Sequence, residues 1–111
     1  MLMICSIALA GPDLSGYSFK DTSTGETYDF YSDKVVYYAP GAPNSRRGDY
    51  SIGRGVATSR SASANVSAPI SIQIYIGDRT VTISGTITYN RMTNRPISLV
   101  LNGRQLTNLG N

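Results

Sequence analysis

The chain has no histidine and no tryptophan, one cysteine and only two lysines among its 111 residues. Without histidine there is no Ser-His-Asp or Cys-His machinery, and the common zinc ligand sets cannot be assembled. A single thiol, Cys5, excludes an internal disulfide and reads as a buried, inert side chain. Stability must therefore come from secondary structure and an apolar core. Charge is also sparse, at 15% of residues, and the excess of +3 is too small to form a basic stripe along the surface. That disfavours nucleic acid as a partner.

Long apolar runs are missing apart from Met1 to Ala10, MLMICSIALA, which falls short of the roughly 20 residues that span a bilayer as a helix. No membrane span is expected. Ala8 and Ala10 ahead of Gly11-Pro12 resemble the small residues read by a signal peptidase, although the positively charged start of a signal is absent. The segment is either the tail of a signal peptide or an extra strand or core plug. An extracytoplasmic location follows from the first reading. The chain divides into an apolar segment over 1–15 and one domain over 16–111.

What the chain has in abundance is Gly, Tyr, Ser, Thr and Ile, a composition of strands and turns. Its clearest element is Ile70 to Tyr89. Ile70, Ile72, Ile74 and Ile76 recur with period two, as do Val81, Ile83, Ile87 and Tyr89. Gly77-Asp78 between them fits a two-residue hairpin loop that sets Ile76 opposite Arg79, Ile74 opposite Val81 and Ile72 opposite Ile83. The other face pairs Gln73 with Thr82 and Tyr75 with Thr80. Ile72, Ile74, Val81 and Ile83 should then share one buried face.

The same alternation gives strands at 16–21, 26–32, 35–39, 49–57, 97–101 and 104–108, alongside 70–76 and 79–89. Asp33-Lys34 is expected to close a hairpin with Phe30 opposite Tyr37. Asn102-Gly103 should close another with Leu106 opposite Leu99, and Ile97, Leu99 and Leu101 should alternate on one face. PGAPNSRRG at 40–48 and TSRSASANVSA at 58–68 read as loops. The fold class is all-β, an antiparallel meander of about eight strands closing into a small barrel. A two-sheet β-sandwich is the alternative.

Gly16-Tyr-Ser-Phe, the Tyr28-to-Tyr37 hairpin, Gly48-Asp-Tyr-Ser-Ile and the Ile76-to-Ile83 hairpin follow one another in an order that resembles small bacterial lipocalin-like, calycin-type barrels. The resemblance covers most of 16–106, but the chain lacks the usual Trp and the Gly after Asp33. It implies a secreted or surface-anchored meander barrel, a class often without assigned activity, and it supplies no catalytic residues.

Carboxylates offer little chemistry. Asp21, Asp33, Asp49 and Asp78 stand at expected turns, where Asp stabilises the backbone. Glu26 and Asp29 are the best candidates for a glycosidase-type pair, but their odd spacing on one strand sends them to opposite faces. No catalytic residue, cofactor or metal is assigned, and the chain reads as a non-enzyme. Arg47-Gly48-Asp49 spells the integrin-binding tripeptide and Asn65-Val66-Ser67 a glycosylation sequon; short motifs of this kind recur by chance.

The binding candidates are Arg46, Arg47 and Arg54 with Tyr37 and Tyr50, flanked by Tyr38 and Arg60. Guanidinium forks hold carboxylates and phosphates, and Tyr offers a rigid ring with a polar tip. The 40–48 and 58–68 loops bracket one strand, so they share a rim only if Gly53-Arg54-Gly55 folds it back. A straight strand divides the arginines and leaves Arg46-Arg47 next to Tyr50 as the stronger half. The expected function is a barrel that binds a small molecule or a protein through its loop-rich rim. The alternative is a self-assembling structural protein, a homo-oligomer joined through the N-terminal run and strand edges.

Overall fold

The structure, a computed structural model, describes residues 12–41, 44–57 and 65–110. Met1 to Gly11, with Cys5 and the signal-like Ala8 and Ala10, lie outside the described residues, as does Arg60. Among the described residues there is no helix, and so none long and apolar enough to cross a membrane. Among the same residues nine strands follow one another: β1 Ser18–Lys20, β2 Thr27–Phe30, β3 Lys34–Tyr38, β4 Ser45–Ile52, β5 Val56–Ala57, β6 Asn65–Ile76, β7 Arg79–Asn90, β8 Pro96–Leu101 and β9 Arg104–Gly110.

Every pairing is antiparallel. The order runs β4-β3-β2-β1-β9-β8-β7-β6, and β4 also pairs with β6, so the sheet closes on itself as an eight-stranded meander barrel. Short β5 is no ninth stave. It pairs with Val66 and Ser67 of β6, while β4 pairs with Ile70 to Ile74 of the same strand. The expected strand over 49–57 is thus one path along β6, broken at Gly53-Arg54-Gly55.

The β6–β7 hairpin has the register that its periodicity demands: Ile76↔Arg79, Ile74↔Val81 and Ile72↔Ile83 inside, Gln73↔Thr82 and Tyr75↔Thr80 outside. In the loop only Gly77 takes a positive φ, 62°, so Asp78 need not. At Asn102-Gly103 both residues do, and Leu99 pairs with Leu106 as expected.

Four details depart from the sequence reading. The β2–β3 register is shifted by two residues, with Phe30↔Val35 and Tyr28↔Tyr37, because the turn closes at Tyr31 N–H to Lys34 O (2.7 Å) around Ser32-Asp33. Lys34, an awkward turn residue, becomes the first residue of β3 instead. A bulge between Thr88 and Tyr89 skips Ile97, which is exposed while Leu99 and Leu101 are buried. β4 begins at Ser45 and β6 at Asn65, so Arg47-Gly48-Asp49 and Asn65-Val66-Ser67 belong to paired strands rather than loops. Val81 stands on the inner face but is 39% exposed.

The barrel interior is filled. Phe19, Phe30, Val35, Ile72, Ile87 and Leu99 have almost no accessible surface, and Phe19 meets Phe30 edge-on at 5.8 Å between ring centroids. An eight-stranded barrel is just wide enough for side chains to fill it. Outward positions carry Lys20, Asp29, Asp49, Gln73, Thr82 and Thr86, the reverse of the apolar outer face of a membrane barrel. Two glycines let the wall curve. A Cβ on Gly48 would lie 2.3 Å from Gln73 O, and one on Gly85 1.8 Å from Val100 O. These are corner positions where adjacent strands approach too closely for any side chain.

Candidate functional site

The barrel has two unlike ends. At one, Leu14 is buried in the core and the chain leading to β1 is tied across it by Asp13 N–H to Asn94 O (3.0 Å) and Gly16 N–H to Phe30 O (2.9 Å). Tyr50 belongs to this end. Its ring packs edge-on against Phe30 at 5.0 Å, and its hydroxyl donates to Tyr31 O at 2.7 Å. Burial raises the Tyr50 pKa, and the ring acts as part of the seal.

The other end is a mouth formed by the 21–25, 77–78 and 102–103 turns with the end of β3 and the start of β4. Here the β6–β7 hairpin overhangs. β8 pairs with β7 only from Gly85 onward, and Asn102 N–H to Ser84 O (3.1 Å) is the last bond on that side. Among the described residues Arg79 to Ile83 therefore pair with β6 alone, which explains the exposure of Val81. Beneath the overhang lies a recess of about 220 Å³. Its apolar wall is Ile74, Ile76, Val81 and Ile83. Facing them are Tyr28, Tyr37, Glu26, Asn102 and Arg104.

The polar groups of the mouth form one network. Asp21, buried although charged, accepts from the Ser23 hydroxyl (2.6 Å) and backbone N–H (3.0 Å) and from Arg104 Nε (2.7 Å). The Ser23 hydroxyl first, and then Arg104, hold its carboxyl well below the usual range, while the Arg104 pKa is raised in turn by Asp21. Glu26 accepts from Thr24 Oγ1 at 3.0 Å and from the Tyr37 hydroxyl, with Arg104 Nη2 at 3.8 Å. Tyr28 and Tyr37 pack at 5.2 Å between ring centroids with their planes tilted by 49°. Burial, then the bond to Glu26, pushes Tyr37 up to about 12; burial raises Tyr28 further. Both phenols stay neutral near pH 7, and both carboxylates are occupied by donors.

Of the residues singled out in the sequence, Tyr37 lies in this recess. Arg46 pairs with Tyr37 and, by alternation with buried Gly48, stands on the inner face of β4 at the mouth. Arg47 pairs with Val36 on the outer face, since neighbours on a strand point apart, so the two forks do not act as a pair. Tyr50 and Arg54 are at the sealed end, so the structure does not bring the five together. The sequence reading missed Asp21, Glu26, Tyr28 and Arg104 as a cluster. Only barrel closure through β1 and β9, with Lys20 opposite Thr107, brings Asp21 beside Arg104.

Among the described residues no group of three or more Cys, Asp and Glu could hold a metal ion. Compared with family models, curated proteins and solved structures, the chain matches none. The class that the structure defines is an all-β antiparallel meander barrel of eight strands, with one sealed end and one recessed mouth.

Proposed function

We propose that this protein is a non-enzymatic binding barrel of lipocalin-like type that takes a small ligand at its mouth. The observation that carries this reading is the contrast between the ends: one is capped by Leu14 and Tyr50 and keeps a recess of about 290 Å³ lined by polar residues such as Asp13, Ser15, Thr93 and Asn94, and the other opens into a recess walled by isoleucine and tyrosine. Apolar concavities with a few convergent polar groups are the usual form of a small-molecule site. Catalysis fits the mouth less well. Glu26 and Asp21 are engaged by Tyr37, Thr24, Ser23 and Arg104, so among the described residues of the mouth neither stands as a free base beside a nucleophile.

The filled interior supports binding at the rim rather than deep in the barrel. An extracytoplasmic setting is part of the proposal, resting on the signal-like Ala8-Leu9-Ala10. A thermal-shift screen of the full chain against a library of small amphipathic compounds tests the reading. Compounds that raise the melting temperature progressively as their concentration rises support it. A library that leaves the wild type unmoved, or hits that bind a variant with the recess filled by Val81→Trp as well as they bind the wild type, would contradict it.

One observation favours self-association as a second reading. Among the described residues the Arg79-to-Ile83 segment of β7 has no strand on the side away from β6, and unpaired edges invite pairing with another copy. Solution mass by light scattering decides this: a monomer at high concentration removes the second reading.

A further inference from the structure

Resting on the reading of the mouth as a ligand site, we infer that its ligand is a short-chain amphipathic carboxylate, its chain under the β6–β7 overhang and its head at the arginines of the rim. The size follows from the recess. About 220 Å³ is the liquid share of about seven waters at roughly 30 Å³ each, below the roughly 300–1,000 Å³ of drug-sized sites. A ligand of about that many non-hydrogen atoms fits. Its body must be apolar, because four aliphatic side chains and two tyrosine rings form most of the wall.

The sign of the head follows from which charges are free. Glu26 is the carboxylate lining the recess, and the Thr24 and Tyr37 hydroxyls and the Arg104 guanidinium already claim its two oxygens. A cationic head would have to displace one of them. Arg104 is different: Asp21 fixes its Nε edge, while the side chain remains 48% exposed. Arg46 pairs with Tyr37 and Arg79 with Ile76, so both begin on the inward side of their strands at the same mouth. Neither forms an ion pair with another described residue. Asp78 stands next to Arg79, but at the exposed tip of the hairpin. Arg104 thus lines the recess itself, and Arg46 and Arg79 stand at strand positions of the same mouth, against two carboxylates, Asp21 and Glu26, that already have donors. A guanidinium fork matches a carboxylate with two parallel hydrogen bonds. A dianionic phosphate would gain from the same forks but meet Glu26 with twice the repulsion.

The experiment titrates the full chain with hexanoate, hexan-1-ol and hexylammonium, following the isoleucine and valine methyl resonances by NMR. Hexanoate is expected to bind most tightly and to shift Ile74, Ile76 and Val81. In a double variant, Arg46→Gln with Arg79→Gln, its affinity should fall roughly ten- to a hundredfold, the range for losing charge-assisted hydrogen bonds. Hexan-1-ol should bind the variant as it binds the wild type. Both arginines are exposed, so the variant should fold normally, which its unchanged melting temperature would show. Hexan-1-ol or hexylammonium binding as tightly as hexanoate would overturn the inference while leaving a ligand site at the mouth. Hexanoate binding that ignores the double substitution, or no binding of hexanoate, would also overturn it. Failure of every compound in the broader screen would instead remove the ligand-site reading itself.

Discussion

Arg104 holds its Nε 2.7 Å from Oδ2 of Asp21, a residue 83 positions earlier in the chain. The bond fastens the turn after the first strand to the start of the last, at the seam where the barrel closes. It also aims the guanidinium into the mouth. One ion pair therefore links the closure of the fold to the chemistry of the candidate site.

Because the Asp21 pKa is lowered in the folded state, its contribution to stability is full above the unfolded value of about 3.9 and is lost as pH falls below that. Thermal unfolding of the wild type and of Asp21→Asn should differ clearly at pH 7. The gap should narrow steadily below about pH 4, because protonation removes from the wild type what the substitution removes from the variant. A gap that stays constant down to pH 2 would show that Asp21 contributes through packing and not through its charge.

Ile72 has no accessible surface, and its partner Ile83 is buried beside it. Ile72→Ala should cost about 2–5 kcal/mol in denaturant unfolding, the range for a core cavity. Thr82→Ala, on the exposed outer face of the same hairpin, should fall within about 0.5 kcal/mol of the wild type. Equal costs at the two positions would contradict the assignment of faces.

Gly85 and Gly77 should differ in the mechanism by which substitution hurts. A Cβ at Gly85 would stand 1.8 Å from Val100 O, so Gly85→Ala must push β7 and β8 apart and should cost at least the roughly 1–3 kcal/mol of an overpacked core. Gly77 has open space around it and only its φ of 62° to defend. Gly77→Ala should cost about 1–2 kcal/mol, and Gly77→Asn less, since Asn tolerates that region. Denaturant unfolding of the three variants measures the order.

The hairpin of β6 and β7 was legible in the sequence because three signals agree there: the isoleucine period, the Gly-Asp loop and the match of faces across it. β2 and β3 had the period but a weaker turn. A slip of two residues keeps every side chain on its proper face, so the hydrophobic pattern alone could not separate Phe30↔Tyr37 from Phe30↔Val35. Alternation likewise set Ile97 on the inner face, and only a bulge, which leaves no mark in the period, turned it out. The mouth was hidden for another reason. Asp21 looks like an ordinary turn residue until the first and last strands meet, and the overhang arises from the unequal lengths of β7 and β8, which single-strand periodicity does not compare.

The most direct measurement of the central claim, that the mouth is the place of binding, is methyl chemical-shift mapping with any compound that stabilises the protein. Ile74, Ile76, Val81 and Ile83 should shift together with ligand concentration, while Leu14 and Ile52 at the sealed end stay still. Shifts confined to Leu14, Ile52 and the outer surface, with the isoleucines of the recess unmoved, would contradict it.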